Sequence, residues 1–220
     1  MPVSALKIRP QVHDLVQMDP DALHSIDAPA WVNRELPRCP WAVIRRVRGP
    51  TGLIAVGVRG EMRNERWGGY IPQHAVKQIV EPRELLQVAR CSSRIDRTSP
   101  IQLLEEVIDR WRGLALPWGP TGSVGFELAS GHRVTTELSD LDVVIRASRR
   151  LSVECARLLW ERVRGLRPRV DVRVETPMCG FALEEYARRP LSQILLRYPD
   201  GARIGDDPWG EHLPTSLVAS

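Results

Sequence analysis

The sequence predicts an α+β fold, with a small β-rich N-terminal domain over residues 1–80 and a larger mixed catalytic domain over residues 81–220. Three observations carry this expectation. "WAVIRRVRGPTGLIAVGVRG" sets two β-rich runs on either side of a GPTG turn signal. From about Leu114 the rhythm changes to a glycine-rich loop, an aspartate-bearing strand, a helix, a second charged strand and a closing hairpin. Within that region the hydrophobic period itself switches. Val153, Ala156, Leu159 and Val163 repeat at helical spacing, whereas "RVDVRVET" alternates strictly, as a strand does.

Taken in order, the first region gives the hairpin and then "EMRNERWGGY", polar and glycine-containing, which reads as a functional loop. "EPRELLQVARC" and "SPIQLLEEVIDRWRG" read as helices. In the second, Ser99, Pro100 and Gln102 form a capping box with proline in the first turn, and Ile101, Leu104, Val107, Ile108 and Trp111 form the apolar stripe. "VGFELASG" fits a strand or a short helix. "SDLDVVIRA" is a strand, "LSVECARLLWERVRG" a helix, and "LLRYPDGARI" turns at Pro199-Asp200-Gly201. The chain has no internal repeat.

Composition narrows the class. At 220 residues the chain can bury a core without disulfides. Hydrophobic residues at 43% and charged residues at 26% exclude a disordered chain, and no apolar run is long enough for a membrane span. "MPVSALKIRPQVHD" has no apolar stretch of signal-peptide length, so a cytoplasmic protein is expected. Cys39, Cys91, Cys155 and Cys179 are widely separated and make no CxxC pair, as expected of reduced structural thiols. The net charge of +4 and pI near 9.2 come almost wholly from arginine, because Lys7 and Lys77 are the only lysines. Guanidinium forks bind phosphate oxygens in pairs. An arginine-rich nucleic-acid-binding module is the non-enzymatic alternative. Its sign, basic residues interleaved with aromatics, is missing here: the arginines are dispersed and Phe126 and Phe181 are the only phenylalanines.

In a strand, Asp140 and Asp142 share one face while Leu141, Val143 and Ile145 take the other. Carboxylates that close repel unless a cation lies between them, and magnesium prefers such oxygens. The alternative is a strand that begins in a turn, with Ser139 and Asp140 solvated. Upstream, Gly119, Thr121, Gly122 and Ser123 look like a phosphate cradle, in which glycine lets backbone N–H groups approach an anion and serine adds a donor. The same GPTG also occurs at residues 49–52, where it is a turn.

A third carboxylate, Asp171, shares a face with Arg173 and Glu175, opposite Val170, Val172 and Val174. Three such groups on neighbouring strands can hold two metals about 3.5 to 4 Å apart, and an ordinary amphipathic strand is the other reading. Arg59, Arg63 and Arg66 are spaced so that a loop or one helical turn presents at least two together. His13, His24, His74, His132 and His212 show no ligand spacing. Trp118, beside the loop, is the first candidate for stacking on a base.

"GS", then "SDLDVVI", then an apolar strand with a lone aspartate resembles the nucleotidyltransferase superfamily that includes DNA polymerase beta. "WGPTGSVGFELASG", "VGVRGEMRNER", "VDVRVETPMCGFALEEYAR" and "DDPW" extend the likeness, and together they resemble the phosphoribosyl-dephospho-CoA transferases, holo-acyl-carrier-protein synthases of malonate decarboxylase. The resemblance implies a polymerase-beta-like catalytic domain with Mg2+ on Asp140, Asp142 and Asp171. Gly122 and Ser123 would hold the β- and γ-phosphates, and Arg59, Arg63 and Arg66 would bind the precursor. The implied reaction takes triphosphoribosyl-dephospho-CoA, attaches its prosthetic group to a serine of the acyl-carrier subunit, and releases pyrophosphate. Another nucleotidyltransferase, acting on a small molecule, a protein or an RNA end, would share the metal site and differ in acceptor. An acidic carrier would meet basic residues outside the cleft, with Arg149 and Arg150 the first choice.

Overall fold

The structure, a computed structural model, describes residues 10–23, 27–62, 64–91, 99–188 and 193–210. The first sheet is antiparallel and is built from β1 (Leu15–Met18), β2 (Trp41–Ile44), β3 (Leu53–Arg59), β4 (Arg66–Pro72) and β5 (Val76–Val80), in the spatial order β4-β3-β2-β1-β5. β2 and β3 form the expected hairpin, with Val43 opposite Gly57, and Gly52 supplies the positive φ of its turn. Alternation divides the faces. Val16, Met18, Ala42, Ile44, Val56, Val58 and Ile71 point to a local core closed by Val32 and Leu36, the first within and the second just after the helix α1 (Ala30–Glu35). Leu15, Val43, Gly57, Arg59, Arg66 and Gly68 occupy the other face.

Half of "EMRNERWGGY" is strand and not loop. From Arg66 onward it is β4, paired along its whole length with β3 from Arg59–Arg66 to Leu53–Pro72. Trp67, Tyr70 and Ile71 supply strand-forming side chains, and the edge position tolerates the adjacent glycines.

The helices α2 (Leu85–Cys91) and α3 (Ser99–Arg110) follow, then β6 (Trp118–Pro120), α4 (Gly122–Ser130), β7 (Leu141–Arg146), α5 (Val153–Glu161), β8 (Val170–Glu175), β9 (Gly180–Ala182), α6 (Leu183–Arg188), β10 (Ile194–Tyr198) and β11 (Gly201–Gly205). The second sheet has the order β11-β10-β9-β8-β7-β6. Only the β7–β8 pair is parallel in it, joined through α5, whose N-cap Ser152 accepts the N–H of Cys155 at 3.1 Å. Leu141, Val143, Ile145, Val172 and Val174 pack with Leu104, Val107, Ile108, Trp111 and Phe181 in the main core. The fold is α+β, as expected.

Three local expectations resolve. "VGFELASG" is the helix α4, and its C-terminal Gly131 takes the left-handed conformation that ends helices, donating to Glu127 O at 2.8 Å. The start of α3 is satisfied from elsewhere in the fold: the Ser99 N–H donates to Glu137 Oε2 at 3.1 Å and its hydroxyl bonds the same carboxylate. Trp118 is buried and packs edge to face on Trp111, with ring centroids 4.8 Å apart, so it is a core residue and not a platform for a base. Among the described residues, no helix is long and apolar enough to cross a membrane.

Candidate active site

The parallel register of β7 and β8 sets Asp142 directly opposite Asp171, Val144 opposite Arg173 and Arg146 opposite Glu175. These side chains share the sheet face that looks toward the bare face of the first sheet. Between the two lies an open cleft of about 470 Å³, lined by Asp142, Asp171, Arg173, Thr121 and Gly122 from one side and by His13, Arg45, Arg59 and Arg66 from the other.

Gly122 is bound closely to Asp142. The Thr121 N–H donates to the Asp142 carbonyl at 2.8 Å, which carries the chain around the head of β7. Gly122 then adopts φ +58°, and a Cβ built there would lie 2.0 Å from Asp142 Oδ2. Conformation and space both require glycine at this point. Glu127, buried in α4, accepts the N–H groups of Val134 and Thr135 at 3.0 and 2.7 Å and so fixes the segment that leads into β7.

Burial raises the pKa of the Asp142 carboxyl, and the neighbouring Asp171 raises it further. Arg66 opposes this, Asp140 adds to it and Arg173 opposes it. Asp171 has a partner in Arg173, at 3.4 Å. Asp140 departs from expectation: β7 begins at Leu141, and Asp140 sits exposed just ahead of it, outside the cleft lining. Among the described residues no three His, Cys, Asp or Glu side chains converge as a metal site. The expected trio is therefore a facing pair, Asp142 and Asp171, with a third carboxylate in the turn before the strand. The donor chemistry still suits a hard divalent cation, because two half-buried carboxylates lie side by side and Asp142 is held back from ionising first by burial and then by Asp171.

Arg59 and Arg66 are brought together, by a different geometry from the expected loop or helical turn. They are directly opposed on antiparallel β3 and β4. Arg59 Nη2 also donates to the Val134 carbonyl at 3.4 Å, across to the second sheet. Arg63 lies outside the described residues. Ser123 is buried in the first turn of α4, and the cleft-lining members of this loop are Thr121 and Gly122.

His13 carries no mark in its local sequence. It is the one non-glycine residue with positive φ among the described residues, at 72°, and its Nε2 lies 3.0 Å from Glu175 Oε1. Burial, and then the guanidinium groups of Arg46, Arg146 and Arg173, push its pKa down to about 4, so the ring is neutral at physiological pH. Arg46 also pairs with Glu175, and Arg146 donates to Asp14 Oδ1 at 2.6 Å. These contacts tie β1 and β2 to the far ends of β7 and β8 and hold the two walls of the cleft together.

Comparison with known proteins agrees with this architecture. Two family models match: the phosphoribosyl-dephospho-CoA transferase MdcG N-terminal domain over residues 11–82 and the MdcG C-terminal domain over residues 86–208. The chain is 38% identical over 209 residues to a phosphoribosyl-dephospho-CoA transferase of Azotobacter vinelandii, covering 93% of this chain and 97% of that one. Proteins of the same name from Pseudomonas putida and Klebsiella pneumoniae are 38% and 36% identical, each over 91% of this chain and 95% or more of their own. No solved structure matches the chain at a significant level.

Proposed function

The chain belongs to the phosphoribosyl-dephospho-CoA transferase family and is a transferase, and from that premise we propose its reaction in full. The substrate is triphosphoribosyl-dephospho-CoA. The acceptor is a serine hydroxyl on the acyl-carrier subunit of malonate decarboxylase, which attacks the α-phosphorus. The bond from that phosphorus to the bridging oxygen of the β-phosphate breaks, pyrophosphate leaves with the electron pair, the hydroxyl proton is released to solvent, and the prosthetic group remains in phosphodiester linkage. The reaction takes place in the cytoplasm, where the free thiols of Cys39, Cys91, Cys155 and Cys179 stay reduced.

The observation that carries this reading is the facing of Asp142 and Asp171 beside the left-handed Gly122. Asp142 and Asp171, joined by Asp140, would hold Mg2+, which when bound supplies charge neutralisation at the phosphates and a lowered pKa for the incoming hydroxyl. The protein's own groups do the positioning. Gly122 leaves room for the Asp142 carboxylate, and the backbone N–H groups of the loop, with Ser123 in the first turn of α4, would donate to phosphate oxygens. Arg59 and Arg66 are directly opposed across two strands, and both line the cleft. That pair faces the carboxylates across the cleft and would take the negative charge of the precursor.

The test is direct. The protein is incubated with Mg2+, triphosphoribosyl-dephospho-CoA and apo carrier, and the carrier is weighed by mass spectrometry. A mass gain equal to the phosphoribosyl-dephospho-CoA group, on serine and with one pyrophosphate released per transfer, is expected. An unmodified carrier, together with transfer of a nucleotide to another acceptor, would replace this reading with that of a different nucleotidyltransferase.

A further inference from the structure

Gly57 and Gly68 stand opposite each other on β3 and β4, one pair along from Arg59 and Arg66 on the same face. Arg45 fills the space at Gly68 and shares the space at Gly57 with Val43, whose Cγ1 would lie 3.1 Å from a Cβ there. A Cβ on Gly68 would lie 1.8 Å from Arg45 Nη1 and 2.6 Å from its Cζ, and a Cβ on Gly57 would lie 3.3 Å from Arg45 Cδ. Arg45 leaves the end of β2, its N–H bonded to the Ala55 carbonyl at 2.9 Å, and runs across both glycines with its guanidinium against β4.

The arginines of the second sheet that face the first are compensated: Arg146 by Asp14 at 2.6 Å and Arg173 by Asp171 at 3.4 Å. Arg45 makes no ion pair among the described residues. It lines the cleft, its side chain is laid flat by a sheet surface cleared of Cβ atoms, and its charge is unanswered. A planar fork held in this way suits two oxygens of a phosphate group.

The substrate class offers two separate anions. One is the triphosphate, where the chemistry occurs. The other is the diphosphate that joins adenosine to the pantetheine arm in every dephospho-CoA compound, set apart from the triphosphate by two sugar rings. Strand spacing puts the Gly57–Gly68 pair about 7 Å beyond the Arg59–Arg66 pair, and Arg66 is the first-sheet guanidinium whose charge acts on Asp142. Arg45 is therefore the cation placed further along the first sheet from the end of the cleft that holds the carboxylates.

We propose that Arg45, laid over the Gly57–Gly68 pair, is the diphosphate subsite for the dephospho-CoA arm, distinct from the site of the reacting triphosphate. This rests on the substrate class proposed above. The guanidinium itself supplies the positive charge, so the subsite is expected to bind without a metal. A diphosphate bound there fixes which end of the precursor reaches Asp142 and Asp171.

The experiment measures binding by calorimetry for two probes, dephospho-CoA in EDTA and inorganic tripolyphosphate in Mg2+, with the parent protein, Arg45→Gln and Gly68→Ala. Arg45 is exposed and the Gly68 backbone is not left-handed, so both variants should fold, and circular dichroism checks this. Gly68→Ala keeps the charge of Arg45 but expels its guanidinium from the face. Both variants are expected to weaken dephospho-CoA about ten- to a hundredfold while tripolyphosphate changes by less than about twofold. Undiminished dephospho-CoA binding by Arg45→Gln overturns the subsite and leaves the proposed reaction standing. Loss by Arg45→Gln with none by Gly68→Ala overturns the placement over the glycines. Equal loss of both probes assigns Arg45 to the triphosphate instead. A parent protein that binds no dephospho-CoA overturns the substrate class, and the subsite with it.

Discussion

Asp142 and Asp171 face each other in register on adjacent parallel strands, and burial together with this facing raises the pKa of the Asp142 carboxyl. A charge held there costs the folded protein stability unless a cation joins it. The arrangement is poor for stability and suited to binding metal and phosphate.

Asp142→Asn should therefore lower the transfer rate a thousandfold or more, about 4 kcal/mol of barrier, and raise the melting temperature of the metal-free protein by about 2 to 4 °C. Asp140→Asn should lower the rate as severely with no change in melting temperature, because Asp140 is exposed ahead of the strand. Thermal melts beside single-turnover rates check both. A marked loss of stability in Asp142→Asn would argue for a structural carboxylate.

Asp171→Asn separates a ligand from an ordinary strand residue. As a ligand it should cost well over tenfold in rate, more than about 1.4 kcal/mol, while freeing Arg173 from its 3.4 Å partner. A loss below tenfold in steady-state rate places Asp171 outside the metal shell.

Gly122→Ala would put a methyl group where Asp142 Oδ2 lies 2.0 Å away, on a residue at φ +58°. The left-handed conformation alone costs about 1 to 2 kcal/mol, a fall of roughly 3 to 6 °C in melting temperature. The rate should fall further than that penalty explains, because the same methyl group displaces the carboxylate. Equal kcat in the folded variant would show that the loop does not set the position of Asp142.

His13 gives the protein a pH signature. Its pKa is about 4 when folded and 6.5 as a free side chain. Between those values the unfolded chain takes up a proton that the folded chain refuses, so this residue makes the protein less stable as pH falls from 6.5 to 4, by as much as about 3 kcal/mol. Asp14 and Asp142, both raised from 3.8 by burial, act with the opposite sign at the acid end of this range. The comparison that isolates His13 is with His13→Asn, because asparagine tolerates its positive φ. Melting temperatures of that variant should fall less steeply than those of the parent across pH 6.5 to 4. Parallel curves would show that His13 carries a proton in the fold.

Much of this site was legible in periodicity. The alternation of "VDVRV" and the apolar neighbours of Asp142 announced two strands with polar faces, and both strands form. The pairing of Asp142 with Asp171 was not legible, because the parallel register is set through the α5 crossover and not by local spacing. Arg59 and Arg66 stood out as a basic cluster, but Gly68 and Gly69 masked the strand that brings them together. Those glycines answer to the Arg45 and Trp67 side chains lying against them, a tertiary cause with no local sign. His13 went unmarked for the same kind of reason: its conformation and its Glu175 partner arise only when the two sheets meet.

The proposed carrier should be acidic, as acyl carrier proteins are, and its encounter with this basic chain should be steered by charge. The fold distinguishes the two arginines that follow β7. Arg150 donates to Asp207 Oδ1 at 2.6 Å and lies 5.6 Å from the centroid of the Trp209 ring, whose Nε1 in turn donates to the Ala147 carbonyl at 2.9 Å. Its charge is already compensated, and it secures the last described segment against β7. Arg149 is exposed and makes no ion pair among the described residues. Arg149→Gln should therefore lower kcat/KM for the carrier at low salt and flatten its decline as salt rises past about 0.15 M, where the Debye length is about 8 Å. Arg150→Gln should leave that slope close to the parent's and lower stability by at most about 1 kcal/mol, since the pair is half exposed. Rates measured across salt for both variants, with melts alongside, decide between the two residues. A slope flattened by Arg150→Gln and untouched by Arg149→Gln reverses the assignment, and a carrier rate indifferent to salt removes steering from the mechanism.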